Sequence, residues 1–287
     1  PNLYSKSLYR QLAWAANELN RGYYLWRVNA VAAWVLADGS VIPPDATINA
    51  GTAAVQHLFA QFSDHTAWQQ AVGDKGLFAV FFDLFGYPFD YAIEPLLPSG
   101  LKQPALQLPF EPGVTWAFTG GPHAGYGDGA AWAALDFAPA GAGVGCYQSD
   151  AWVTAAADGL VVYADHGLVI LDLDGGAGNT SDGWQQTGWV LVYLHIEGRD
   201  RVAVGTPVKA GQRLGHPSCE GGLASGTHVH LARKYNGEWI PADQNLPFIL
   251  DGWVSSGADR EYDGYLQRSN QRLEAYAGSR PENQISR

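Results

Sequence analysis

The chain changes its hydrophobic period once, and that change limits its fold more than any single motif. Before residue 98 the apolar residues recur at helical spacing. After the proline-bearing stretch "PSGLKQPALQLPFEPG" (98–113) they fall into short strand-like runs separated by glycine turns. A length of 287 residues suits two domains. The expectation is an α+β chain: a helical domain over 1–100, of unknown role, and a mostly antiparallel β domain over 101–287.

In the first part, "LYRQLAWAANELN" places Leu8, Leu12, Ala15, Ala16 and Leu19 on one helical face. "LWRVNAVAAWVLA" predicts a second helix ending at Asp38-Gly39, and "NAGTAAVQHLFAQF" and "GLFAVFFDLFG" predict two more. His57 and His65 fall here as single polar positions, and no catalytic constellation accompanies them. In the second part, "AWVTAAADGLVVYADHGLVILDLDGG" reads as strands broken at Asp158-Gly159 and His166-Gly167. "GWVLVYLHIEG" is a further strand, and "GYLQRSNQRLEAYA" a hairpin turning at Ser269-Asn270. "DLDGGAGNTSDG" (172–183) lacks the spacing of a calcium loop and reads as a solvated loop.

A net charge of −11 and a pI near 5.0 argue against nucleic acid as partner. The longest apolar run, around "GLFAVFFDLFGYPF", is interrupted by Asp83 and is too short to span a bilayer. The two cysteines, Cys146 and Cys219, form no CxxC pair, so a thiolate metal site is not expected. They permit one disulfide, which suits an exported protein, or two unrelated thiols. Their placement, one before the "AWVTAAADG" strand and one before "SGTHVHLA", favours pairing once exported.

"SGTHVHLA" (225–232) is the most informative stretch. On a strand His228 and His230 share a face, while Val229 and Leu231 point to the other. Two adjacent imidazoles fill a core poorly, because each buried ring nitrogen needs a partner. The pair is therefore exposed or occupied by a ligand. Few residues are available to complete a metal site. His123 sits in the glycine-rich loop "FTGGPHAGYGDG", where a side chain can be exposed, and Asp136 lies between apolar neighbours in the short segment "AALDFAPA". His195 ends the strand "VYLHI". His166 and His216 mark turns, where an exposed imidazole is ordinary. A cupin would carry a glutamate soon after the pair, but the next is Glu238; a carbonic anhydrase would leave Asp136 unexplained.

Taken in order, "GGPH", "LDF", "YLHI", "VAVGTPVKAGQRLG" and "SGTHVHL" resemble the lysostaphin-type zinc metallopeptidases. "FTGGPH", the His123-to-Asp136 spacing and the "GWV…YDGYL" tail are most similar to the staphylolysin/β-lytic endopeptidase branch. The resemblance spans about residues 108–270 and leaves the helical part uncovered. It implies zinc (Zn2+) held by His123, Asp136 and His230, with His195 and His228 as catalytic histidines that are not ligands. It further implies endopeptidase action on peptidoglycan cross-link peptides, at bonds involving glycine, by a protein that is secreted or sits in the cell envelope. Catalytic zinc takes three protein ligands, polarises a carbonyl and makes a water acidic enough to attack near neutral pH. With no HExxH helix, His195 and His228 are left to move protons or donate to the developing oxyanion. Tyr193, which shares a strand face with His195, is a further candidate donor or, more ordinarily, a core or surface tyrosine, and Trp116, Trp132 and Trp184 are candidates for the groove or equally for the core. The alternatives are a non-catalytic wall-binding or regulatory module on the same fold, and a zinc amidase or esterase. The first would lack one of the five polar residues, and none is missing.

Overall fold

The structure is a computed structural model and describes residues 7–92, 95–141, 145–174 and 182–287. It divides into two compact units. The first comprises Pro1–Pro95 with Tyr126–Ala130, and the second Leu96–Gly125 with Ala131–Arg287.

Among its described residues the first unit contains four α-helices, a short 3-10 helix (Pro88–Tyr91) and a small hairpin. α1 (Leu8–Arg27) starts at Ser7, whose hydroxyl accepts from the Arg10 N–H. α2 (Ala50–Ala60), α3 (His65–Val72) and α4 (Leu77–Phe85) follow. α1 crosses α2 at Gly22, where a Cβ would come within 2.5 Å of the His57 Cβ; only glycine lets the backbones approach so closely. His57 bonds Glu18 at 3.0 Å across this contact, so it is a structural polar pair. The predicted second helix does not form. α1 runs on to Arg27, Asn29 takes a left-handed φ of 55°, and Trp34–Val35 (β1) pairs with Val41–Ile42 (β2) around Asp38-Gly39. Burial decides this: Trp34 and Leu36 enter a small core with Ala53, Ala60 and Trp68, and the Trp34 indole donates to Gln56 Oε1 at 2.8 Å. α3 was not expected from the sequence. Its cap is Asp64, whose carboxylate accepts from Ala67 N.

The second unit is built on strands. In chain order they are β3 (Thr115–His123), β4 (Ala134–Pro139), β5 (Val153–Thr154), β6 (Gly159–Asp165), β7 (Leu168–Asp172) and β8 (Trp189–Leu194). Then come β9 (Pro207–Val208), β10 (Arg213–Gly215), β11 (Val229–Tyr235), β12 (Glu238–Trp239) and β13 (Ile249–Leu250). β14 (Trp253–Gly257), β15 (Gly264–Arg268), β16 (Gln271–Glu274) and β17 (Gln284–Ser286) close the series. Among the described residues the main sheet has nine strands in the order β17-β3-β4-β11-β8-β7-β6-β9, with β12 on β11, and its pairings are antiparallel. β13 to β16 form a four-stranded meander, with Ser269 in the left-handed conformation at the predicted hairpin turn. The order is α+β, helices first and antiparallel strands after. Residues 175–181 of the predicted solvated loop lie outside the described residues.

Alternation along the central strands sorts side chains to two faces. Leu135, Phe137, Tyr193, Val229 and Leu231 are all fully buried in one core with Phe110, Trp116 and Phe118. Asp136 and His230, between those residues, are left on the opposite face.

Candidate metal and catalytic site

His230 lies on β11 directly opposite Asp136 on β4, and on its other side opposite Leu194 on β8. Directly opposite residues share a face, so the imidazole and the carboxylate meet. β3 supplies His123 through two register shifts, one between Phe118 and Gly120 and one between Gly120 and His123. Such bulges re-aim a strand next to a site. Gly120 faces Asp136, and a Cβ there would stand 2.7 Å from Asp136 Oδ2; its hydrogen makes room for the carboxylate.

Three atoms converge. His123 Nε2 lies 2.9 Å from His230 Nδ1 and 3.1 Å from Asp136 Oδ1, and His230 Nδ1 lies 3.3 Å from Asp136 Oδ1. Each ring's other nitrogen is committed. His123 Nδ1–H donates to the Gly121 carbonyl at 2.7 Å, and His230 Nε2–H donates to the Gly125 carbonyl at 2.9 Å. Both convergent nitrogens therefore present lone pairs to one another and to a carboxylate oxygen. Asp136 Oδ1 is buried and receives no hydrogen bond. Such a buried acceptor cluster is costly unless a cation or proton sits among the three atoms. Tetrahedral zinc, with ligand distances of roughly 2.0–2.2 Å, needs ligand atoms roughly 3.3 Å apart. The donor set, the spacing and the carbonyl partners that orient the rings all fit zinc. Among the described residues, this is the one group of three or more His, Cys, Asp or Glu side chains arranged to hold a metal ion.

The charges follow from burial. Burial raises the Asp136 carboxyl, but the His123 and His228 rings outweigh it, and its pKa lies well below the usual carboxylate range. Burial lowers His123, the Asp136 carboxylate more than offsets this, and the balance is upward. His230 is shifted down, by burial first.

Two further imidazoles border the cluster. His228 donates Nδ1–H to the Gly226 carbonyl at 2.7 Å, and its Nε2 lies 3.7 Å from Asp136 Oδ2. His195 donates Nδ1–H to the Glu220 carbonyl at 2.8 Å. The His195 and His228 ring centroids are 4.4 Å apart, and His195 is 6.3 Å from His230. Burial, and then the His228 ring, push His195 down to about 4, so it is neutral at physiological pH. The structure thus brings together all five polar residues singled out in the sequence.

Other candidates go elsewhere. Tyr193 is wholly buried in the core, and its hydroxyl accepts from Ala156 N at 2.8 Å, so it does not serve the site. Trp116 is also core, stacked on Phe110 at 5.0 Å. Trp132 is half-buried and Trp184 exposed. His166 is exposed beside Asp165, and His216 is buried with its Nδ1–H on the Ala151 carbonyl. One neighbour was not expected: Tyr262, from the β14–β15 connection, stacks on His123 with centroids 4.2 Å apart. The orienting carbonyls of Gly121, Gly125, Gly226 and Glu220 were likewise unseen, although three of the four are glycines flanking the histidines.

The profile of peptidase family M23 matches residues 140–241, which carry His195, His228 and His230. The chain carries an M23 peptidase domain. It is a zinc-dependent peptidase, and its other two candidate ligands, His123 and Asp136, lie upstream of the matched segment. Residues 3–97 match a second profile, the LasA N-terminal domain. No curated protein matches the chain. Among solved structures, it is similar to the M23 metalloprotease pseudoalterin from the deep sea (23% identity, TM-score 0.49, 66% of this chain and 100% of that one). A zinc-containing peptidase from Vibrio cholerae is 21% identical (TM-score 0.34, 50% of this chain and 41% of that one). The catalytic domain of the antimicrobial peptidase lysostaphin from Staphylococcus simulans is 22% identical (TM-score 0.30, 45% of this chain and 89% of that one).

Proposed function

We propose that this M23 peptidase is an endopeptidase of bacterial peptidoglycan, cleaving cross-link peptides at bonds that involve glycine. Residues 101–287 form its catalytic domain, His123, Asp136 and His230 are its metal ligands, and His195 and His228 act on the substrate. The observation that carries the reading is the meeting of two histidine lone pairs with the unpartnered Asp136 Oδ1. Zinc, when bound, supplies Lewis acidity toward a carbonyl oxygen and acidifies water.

The chain's own residues supply the rest. His195 and His228 both commit Nδ1–H to a backbone carbonyl, which leaves Nε2 of each ring for substrate or water. His195 is neutral at physiological pH, so its Nε2 can take the proton that the attacking water gives up. Protonated imidazoles are then donors to the leaving amine and to the oxygen that gains charge. Asp136 serves the metal through Oδ1 and leaves Oδ2 facing His228. The Cys146–Cys219 disulfide supports an oxidising, extracytoplasmic location. Among the described residues no helix is long and apolar enough to cross a membrane.

The test is paired. His230→Ala removes a ligand, so zinc content and hydrolysis of a glycine-rich cross-link peptide both fall. His228→Ala retains about one zinc per chain while turnover drops on the order of 10²–10⁴-fold. Equal zinc loss in the two variants would make both residues ligands and end this assignment. Product analysis on purified peptidoglycan decides the bond: new amino termini between peptide residues are expected, and release of intact stem peptides would indicate an amidase instead.

A further inference from the structure

The two non-ligand histidines come from different segments, yet their orienting carbonyls share one cross-link. Glu220, whose carbonyl takes the His195 proton, directly follows Cys219. Cys219 is bonded to Cys146, with Cα atoms 5.8 Å apart. Cys146 belongs to the segment that clasps Gly226 and Thr227. Thr227 N donates to the Gly145 carbonyl at 3.0 Å, Thr227 Oγ1 donates to the Tyr147 carbonyl at 2.6 Å, and Tyr147 N donates back to Thr227 Oγ1 at 2.9 Å. The Gly226 carbonyl takes the His228 proton.

The Cys219 side is fastened as firmly. Ser218 N and Oγ both donate to the His195 carbonyl, at 2.7 and 3.0 Å, and Ser218 Oγ accepts from Glu220 N at 3.0 Å. Glu220 Oε1 accepts from Gly198 N at 3.1 Å. The metal triad is held differently. Asp136 and His230 are fixed by the β4–β11 ladder, and the ring partners of His123 and His230 are Gly121 and Gly125, on neither of these loops.

We propose that the Cys146–Cys219 disulfide, with Thr227, is a positioning device for both substrate-facing histidines. It holds the Gly226 and Glu220 carbonyls, and so fixes the tautomer and aim of His228 and His195 together, while the metal triad stands without it. The proposal rests on the substrate roles given above to His195 and His228. Which imidazole nitrogen carries the proton is set by the bond its partner makes, so loosening two carbonyls frees two rings.

The test is the Cys146→Ser/Cys219→Ser variant of the full chain, loaded with zinc. Four readouts are taken: zinc content, the cooperativity of thermal unfolding, kcat and KM on a glycine-rich cross-link peptide, and imidazole ¹H–¹⁵N spectra. Zinc stays at about one per chain, KM changes little, and kcat falls on the order of 10- to 100-fold, as for a misplaced catalytic group. The Nδ1–H signals of His195 and His228 are lost or exchange-broadened, and the His123 Nδ1–H and His230 Nε2–H signals persist. Unchanged His195 and His228 signals, unchanged kcat, or zinc lost in step with activity would each overturn the proposal. If the double variant does not fold, Thr227→Val in the disulfide-bonded chain must lower kcat with zinc retained, and Thr227→Ser must restore it; equal behaviour of the two refutes the clamp. Should the unmodified protein prove inactive on the peptide, the peptidase reading fails, and the imidazole spectra still decide the positioning.

Discussion

His195 sits at the end of β8 with a φ of 67°, a left-handed conformation that a residue with a Cβ rarely takes. Without that turn, alternation would send its ring to the core with Tyr193. The reversal turns it to the face of His230, at a cost of about 1–3 kcal/mol for a sparsely populated backbone state. The strand-like spacing of His228 and His230 was legible because period-2 alternation is a local rule. The turn at His195 was not, because no glycine marks it. Its environment makes a prediction. Burial first, then the neighbouring rings, lower its pKa to about 4, against an ordinary value near 6.5. Between those values the unfolded chain binds the extra proton and the folded chain does not, so this group's contribution to stability falls as pH drops from about 6.5 toward 4. A ring ¹H NMR titration is expected to show His195 still neutral at about pH 5.5; a midpoint near 6.5 would contradict the burial argument.

At the scale of elements, the sequence showed β8 and the strand of His228 and His230, but it left His123 in a loop and Asp136 in an unassigned apolar segment, where β3 and β4 form, and it misread parts of the helical half. α2 and α4 follow their periodicity, but "LWRVNAVAAWVLA" has helical spacing and still yields a hairpin, because burying Trp34 and Leu36 outweighs local preference. α3 escaped notice because only Trp68 along it is buried; its capping Asp64 was the available signal. The reading of Tyr193 shows the limit of counting along a strand. It is two residues from His195, yet the turn between them separates core from site. Tyr193→Phe should therefore destabilise without touching catalysis. It strips the buried Ala156 N–H of its acceptor, at about 1–3 kcal/mol. Urea unfolding is expected to show that loss while kcat stays within about twofold; a drop in kcat on the scale of a lost catalytic donor, about 10²–10⁴-fold, would return Tyr193 to the site.

For the whole molecule, there are two hydrophobic cores, one around Trp34 and Trp68 in the first unit and one around the main sheet in the second. That Tyr126–Ala130 belongs with the first unit was not legible, since a short glycine-rich segment carries no periodicity. Because zinc's candidate ligands all lie on β3, β4 and β11, its binding energy stabilises the second unit. A ligand at about 1,000 times its dissociation constant stabilises by about 4 kcal/mol, or roughly 8–16 °C for a unit of this size. Thermal unfolding of the zinc-loaded protein is thus expected to contain a β-sheet transition that chelation lowers by about that much and metal restores. A chelator that left this transition unmoved would mean that the metal does not bind where the three lone pairs meet.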